Sequence, residues 1–302
     1  MKIHKKEKKK MWRILLTAFV LMFIQSKSLV QADKNFNNVI VDMQLTNDNE
    51  SGVDEHESDY SIKVENQKNG ESGKWKTRNQ RFFYYENGKK VTGLREIQNK
   101  YYYFAANGIQ RTGWQYVNGD YYFFKIGNGE KGWMQKEKTV NGIRLTENGK
   151  AELTAASTEK LNVLVRANQV LEKATRPEMG KAEKLQKCFE YLLQHFQYRG
   201  SPVFEKTKQW ETDYALNLFE EGHGNCYAFG AAFAFLANAA GYKNCYAVSS
   251  GGHGWAEIAG KIYDPTWSLI DDENSYYGVS FSLSGQDGRP NYKNSRKYVA
   301  KI

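Results

Sequence analysis

Three cysteines, four prolines and five histidines among 302 residues set the first limits on this chain. A disulfide-stapled scaffold of this length needs more cysteines than three. The cysteines and histidines lack ligand spacing and no EF-hand loop is present, so neither a metal nor a cofactor is expected. The N-terminal apolar run, residues 14–24, has 11 residues, whereas a bilayer-spanning helix takes about 20. Basic charge is also scarcer than the total suggests. Residues 1–32 hold eight Lys/Arg against Glu7, which leaves about +2 of the formal +9 for everything else. That residue of charge is too small for an electrostatic nucleic-acid argument, and no nucleic-acid partner is expected.

What is present begins with targeting. A basic start, the short apolar run and the small-residue stretch Val30-Gln31-Ala32 form the pattern of a secretory signal over residues 1–32. The membrane is then involved only through that segment, and the working part is expected to be secreted, at the cell wall or cell surface. Residues 33–73 follow as an acidic linker: ten Asp/Glu stand against Lys34, Lys63 and Lys68 with no apolar period, the composition of a disordered spacer.

Residues 74–153 are repetitive. Phe82-Phe83-Tyr84-Tyr85, Tyr101-Tyr102-Tyr103-Phe104 and Tyr121-Tyr122-Phe123-Phe124 are each followed by Asn-Gly, and the units close on Gly93, Gly113 and Gly132. The spacing predicts units of about 20 residues: an aromatic strand, an Asn-Gly hairpin turn and a second short strand. One hairpin alone is marginal, so the units are expected to stack into an all-β solenoid. With Gly113-Trp114 and Gly132-Trp133 closing two units, the segment resembles the cell-wall-binding (choline- or glucan-binding) repeats of Gram-positive surface proteins. That resemblance implies wall polysaccharide or teichoic acid as partner, with Tyr102, Trp114, Tyr122 and Trp133 as ligand-binding aromatics. The alternative is a spacer whose aromatics only fill the stack.

Residues 154–302 change to helical period, with Leu161, Leu164, Val165 and Leu171 on one face and Leu185, Cys188, Phe189 and Leu192 on the next. Thr158 with Glu159 is read as the first start signal. The turn Gly222-His223-Gly224-Asn225 then delivers Cys226 onto an Ala/Phe-rich helix whose composition predicts burial on all sides. A cysteine at a helix start meets free backbone N–H groups and the positive end of the dipole, which favour the thiolate. Gly252-His253-Gly254-Trp255 opens one strand and Tyr263-Asp264-Pro265-Thr266-Trp267 closes the next. A tight Ala259-Gly260 turn would bring His253 and Asp264 together at the open end of that hairpin. Cys226, His253 and Asp264 thus read as nucleophile, base and orienting group. His223 is the rival base, and His195 reads as a half-buried surface residue.

Over residues 158–302 these motifs resemble the transglutaminase-like superfamily. The resemblance implies an α+β, papain-like domain in which the cysteine attacks a carboxamide or acyl carbon of a protein or peptide substrate. Cross-linking, deamidation and proteolysis all remain open to such a triad, since an amine or water can take the acyl group. Trp210, Tyr214 and Trp255 are expected to wall the substrate groove, and an aromatic upstream of the cysteine to assist an oxyanion hole. The competing reading is a surface adhesin with a vestigial triad.

Overall fold

The computed structural model describes residues 73–127, 129–201, 203–271 and 273–302, so the expected signal and nearly all of the expected linker lie outside the described residues. Short antiparallel hairpins come first: β1 (Lys74–Arg78), β2 (Arg81–Glu86) and β3 (Lys89–Lys90), then β4 (Gly93–Ile97), β5 (Lys100–Phe104) and β6 (Gln110–Arg111), then β7 (Gly113–Val117) and β8 (Asp120–Phe124). The first two aromatic strands pair across their Asn-Gly, β2 with β3 and β5 with β6, but the long partner of each aromatic strand is the strand before it. The long hairpins turn at Asn79-Gln80, Gln98-Asn99 and Asn118-Gly119, every one of them at positive φ. Two consecutive left-handed residues match the right-handed twist of the flanking strands, and Asn tolerates that region. The Asn-Gly dipeptides that follow the aromatic clusters are therefore secondary turns; at the third, Gly129 opens a 3₁₀ turn and Phe124 bridges Met134 beyond it.

Strands β9 (Thr139–Val140) and β10 (Ile143–Arg144) lead into helix α1 (Ala155–Ala174). The helix starts earlier than Thr158: Thr154 caps it, its hydroxyl accepting from Ser157 N while Ser157 reaches back to Thr154 N. Helix α2 (Lys181–His195) follows, then β11 (Gln197–Tyr198), α3 (Trp210–Glu221) and β12 (His223–Gly224), which pairs in parallel with β11. Helix α4 (Cys226–Ala239) is buried along nearly its whole length, and Gly241 at positive φ ends it. Strands β13 (Cys245–Ser249), β14 (Gly254–Ile258), β15 (Lys261–Tyr263), β16 (Tyr277–Val279) and β17 (Tyr298–Lys301) form one antiparallel sheet ordered β16-β15-β14-β13-β17, with the one-turn helix α5 (Tyr292–Ser295) before β17.

Alternation along β14 divides the core. Ala256 and Ile258 face α4 and the other helices, while Trp255 faces a second apolar layer with Val248, Ile262, Tyr276 and Tyr292. The main core also takes in Trp114, Tyr121, Ile143 and Leu145, so the last hairpins share apolar packing with α1 and α4. Tyr121 is hydrogen-bonded to Asn162, and Trp114 Nε1 donates to Asn141 Oδ1 at 2.9 Å while Asn141 Nδ2 donates to Asn238 Oδ1 at 2.9 Å.

Candidate active site

Two glycines bring α4 onto β14. A Cβ on Gly230 would stand 2.8 Å from the Trp255 backbone, and one on Gly254 would stand 2.7 Å from Tyr227 Cα. Without those side chains, helix and strand backbones touch, and the first turn of α4 lies at the start of β14. Asn225 caps the helix, its Oδ1 accepting from Ala228 N at 3.2 Å, and Cys226 is the first helical residue. Its backbone N–H belongs to the first-turn donors that have no intrahelical acceptor.

His253 and Asp264 follow from the hairpin. The β14–β15 register pairs Ala256 with Tyr263 across the Ala259-Gly260 turn, both turn residues having positive φ. Continued by one position, that register sets Asp264 opposite Trp255, on the face shared with His253, as a diagonal cross-strand neighbour. His253 Nε2 meets Asp264 Oδ2 at 2.6 Å, and Cys226 is close enough to act on the charge of the imidazole. With Nε2 on the carboxylate, the nitrogen left for the thiol is Nδ1. Burial disfavours the charged ring, but Asp264's charge and hydrogen bond, with Cys226, outweigh it and push His253 up to about 10. The arrangement favours an imidazolium.

Asp264 is fully buried and held by more than the histidine. Tyr292 donates to Oδ2 at 2.9 Å, and Thr266 Oγ1 and Trp267 N donate to Oδ1 at 3.0 and 3.1 Å. The Tyr292 hydroxyl is driven well above its ordinary range by burial and then by the Asp264 charge, so it acts as a donor throughout. Upstream, Ser250 Oγ accepts from His253 N at 2.9 Å, which closes the Ser249–His253 turn. Trp255 stacks against the imidazole with ring centroids 6.0 Å apart, and Trp267 meets it edge-on at 6.5 Å.

The expected groove walls take other places. Trp255 is 1% exposed, its Nε1 donating to Glu257 Oε1 at 3.2 Å, and Glu257 in turn pairs with Arg296 at 3.0 Å. Trp210 is likewise buried, because α3 packs its first turn into the core. Tyr214 is half-buried and pins an irregular segment: its hydroxyl accepts from Glu205 N at 3.0 Å and its ring stacks on Phe204. Phe204 also contacts Trp210, Tyr227 and Tyr298. The aromatics that sense the thiol are Tyr198 and Tyr227, whose hydroxyls are pushed up by burial and then by Cys226. Tyr198 is 48% exposed while Cys226 is 3% exposed. His223 lies in β12 and His195 stacks on Tyr191 at the exposed end of α2. Cys188 and Cys245 are free and buried, each pushed up to about 12 by burial.

Among the repeat aromatics, Tyr102, Trp114 and Tyr122 are buried rather than displayed, since the hairpins fill their own interior with them. Trp133 is half-buried, with Lys100 and Lys125 ammonium groups 4.5 and 4.6 Å from its ring centroid. Trp75, which carries no repeat signal, meets Tyr84 and Tyr102 edge-to-face at 5.2 and 5.1 Å. Among the described residues no group of three or more His, Cys, Asp or Glu is arranged to hold a metal, and no helix is long and apolar enough to cross a membrane.

With that geometry in place, the two parts of the chain fall into recognisable classes. Residues 167–271 match the transglutaminase-like superfamily, and residues 91–136 ahead of them match the choline-binding repeat. Among solved structures, CbpJ from Streptococcus pneumoniae TIGR4 is 29% identical over 26% of this chain and 26% of its own, with a TM-score of 0.23. The choline binding domain of Spr1274 from Streptococcus pneumoniae is 25% identical over 26% of this chain and 93% of its own, at 0.23. Choline binding protein F from Streptococcus pneumoniae is 28% identical over 26% of this chain and 27% of its own, also at 0.23. The chain thus spans about a quarter of the length of CbpJ. No curated protein matches.

Proposed function

We propose that the chain is a secreted, wall-associated thiol enzyme that attacks a protein or peptide acyl group through Cys226, His253 and Asp264. The observation that carries this reading is an imidazole held at 2.6 Å by a fully buried carboxylate and acted on by a helix-start cysteine. Cys226 adds to the acyl carbon as thiolate, and His253 protonates the leaving amine, forming a thioester. The Cys226 backbone N–H and the Tyr198 hydroxyl are the donors for the developing oxyanion, and Tyr198 is the upstream aromatic that fills this role. An amine releases the thioester as a cross-link, water as a hydrolysed or deamidated product. In this reading residues 1–32 export the chain, residues 33–73 link, 74–153 form a short hairpin solenoid and 154–302 form the catalytic domain. Met134 N donates to Tyr101 O at 2.7 Å, a bond from one repeat to the next that supports stacking.

The test is thiol labelling near neutral pH. Cys226 should react well ahead of Cys188 and Cys245, which burial keeps protonated. Cys226→Ala should abolish both the fast label and incorporation of a labelled amine or release of ammonia from glutamine peptides. A Cys226 no faster than its two siblings would leave only a surface-attached protein. For the repeats, the accessible candidates are Trp133 and Trp75. Because Lys100 and Lys125 already occupy the Trp133 faces, a quaternary ammonium must displace them. Retention on cell walls should fall in Trp133→Ala, and unchanged retention removes the targeting role for this aromatic.

A further inference from the structure

A cavity of about 660 Å³ opens at the far end of α4 from Cys226, where the last hairpins meet the helices. Its wall includes the C-terminal turn of α4, and a helix of 14 residues at about 1.5 Å per residue puts roughly 20 Å between that turn and the thiol. Half-buried Phe123 supplies aromatic surface with buried Trp114 packed against it, ring centroids 5.3 Å apart, and Asn141 supplies an amide already fixed between Trp114 and Asn238. Lys160 from α1, Lys243 from the turn after α4 and Lys301 from β17 complete the lining, and no Asp or Glu contributes to it. None of the three lysines makes an ion pair with a described residue. Lys160 is partly buried, and the loss of water lowers its pKa, with only Glu211 opposing that through charge.

Three separate elements thus converge three lysines on one apolar, aromatic hollow, and Glu211 is the acid that acts on Lys160. Lysines scattered on a surface are ordinary; lysines at the rim of a built cavity with fixed amide and aromatic walls are complementary to an anion that carries a ring. We propose that this cavity binds an anionic carbohydrate, its ring against Phe123 and its phosphate or carboxylate toward Lys160, Lys243 and Lys301. The site lies outside the thiol chemistry and adds a second contact to whatever polymer the hairpins engage. A chain held at both places would present Cys226 in a defined orientation to the wall.

Isothermal titration of the full-length chain with glucose 1-phosphate, glucose, inorganic phosphate and choline tests the assignment. Glucose 1-phosphate should bind saturably and more tightly than the other three. The double variant Lys160→Gln with Lys243→Gln should weaken it by about tenfold or more, the scale of a lost charged contact. Cys226→Ala should leave the titration unchanged, so failure of the thiol reading and failure of this one are separable. Lys243 and Lys301 are exposed, and Lys243→Glu with Lys301→Glu offers a second pair whose folding is not at risk. Absence of saturable sugar-phosphate binding, equal binding by both lysine variants, or equal affinity for glucose, phosphate or choline overturns the proposal.

Discussion

Asp264 accepts four hydrogen bonds, and of their donors only Tyr292 lies outside the motifs of the sequence. Tyr292 lies 28 positions further on and comes to Oδ2 through α5, a one-turn helix with no periodic signal. Removing its hydroxyl in Tyr292→Phe leaves a buried carboxylate one donor short. The expected cost is about 1.5–3 kcal/mol of stability, read by urea unfolding, because hydrogen bonds to charged groups are worth that much. Asp264→Asn acts on pH instead. His253 stands at about 10 in the folded chain against 6.5 for the ordinary side chain. A raised histidine stabilises the fold fully below the unfolded value, progressively less above 6.5, and not at all once pH has passed about 10. Activity that needs the imidazolium should therefore persist into alkaline solution and decline near the upper value. Asp264→Asn removes the carboxylate that lifts the ring, so its alkaline limb should move to lower pH in kcat/KM profiles. An unmoved limb would assign that titration to another group. Tyr198→Phe should lower kcat by about 10²-fold or more if its hydroxyl meets the oxyanion, with little change in KM.

At the scale of elements, the contact between α4 and β14 decides whether cysteine and histidine meet at all. Gly230→Ala forces a methyl against the Trp255 backbone, where neither element has a flexible side chain to yield. Overpacking of this kind costs about 1–3 kcal/mol, and here it also pushes Cys226 away from His253. Loss of the fast thiol label at retained helical signal would show the separation directly. Ala259 offers the opposite change. It sits at φ 50 in the turn that aligns His253 with Asp264, a conformation that Asn holds more readily than Ala. Ala259→Asn should raise the melting temperature without altering kcat, and a lower melting temperature would show that the turn does not limit stability.

Over the whole described molecule, the repeats and the transglutaminase-like part are continuous rather than beads on a string. Trp114, Tyr121, Ile143 and Leu145 belong to the core that also contains α1 and α4. Deleting residues 74–152 to release the chain from a wall would therefore expose apolar helix surface. The truncated chain should unfold at lower urea and aggregate, whereas point variants at Trp133 leave that core intact. Equal stability of the two forms, measured side by side, would show that the shared packing contributes nothing.

The placement of Cys226, His253 and Asp264 was legible because it depends on local turns and caps. A Gly-rich turn and a cap place Cys226 at a helix start, and a two-residue turn sets His253 beside Asp264, so short spacing alone encodes both. The repeats were legible as aromatic strands, yet the principal turns were not, because Asn79-Gln80 and Gln98-Asn99 adopt left-handed backbone without glycine. Which aromatics face outward was beyond the sequence as well. Trp210, Trp255, Tyr102 and Trp114 look like binding residues in a list, and packing partners from distant segments bury all four. Tyr292 on Asp264, Tyr198 beside Cys226 and the lysine-rimmed cavity arise only when segments far apart in the chain close on one another. Periodicity and turn chemistry act over a few residues, while burial and convergence are properties of the closed fold.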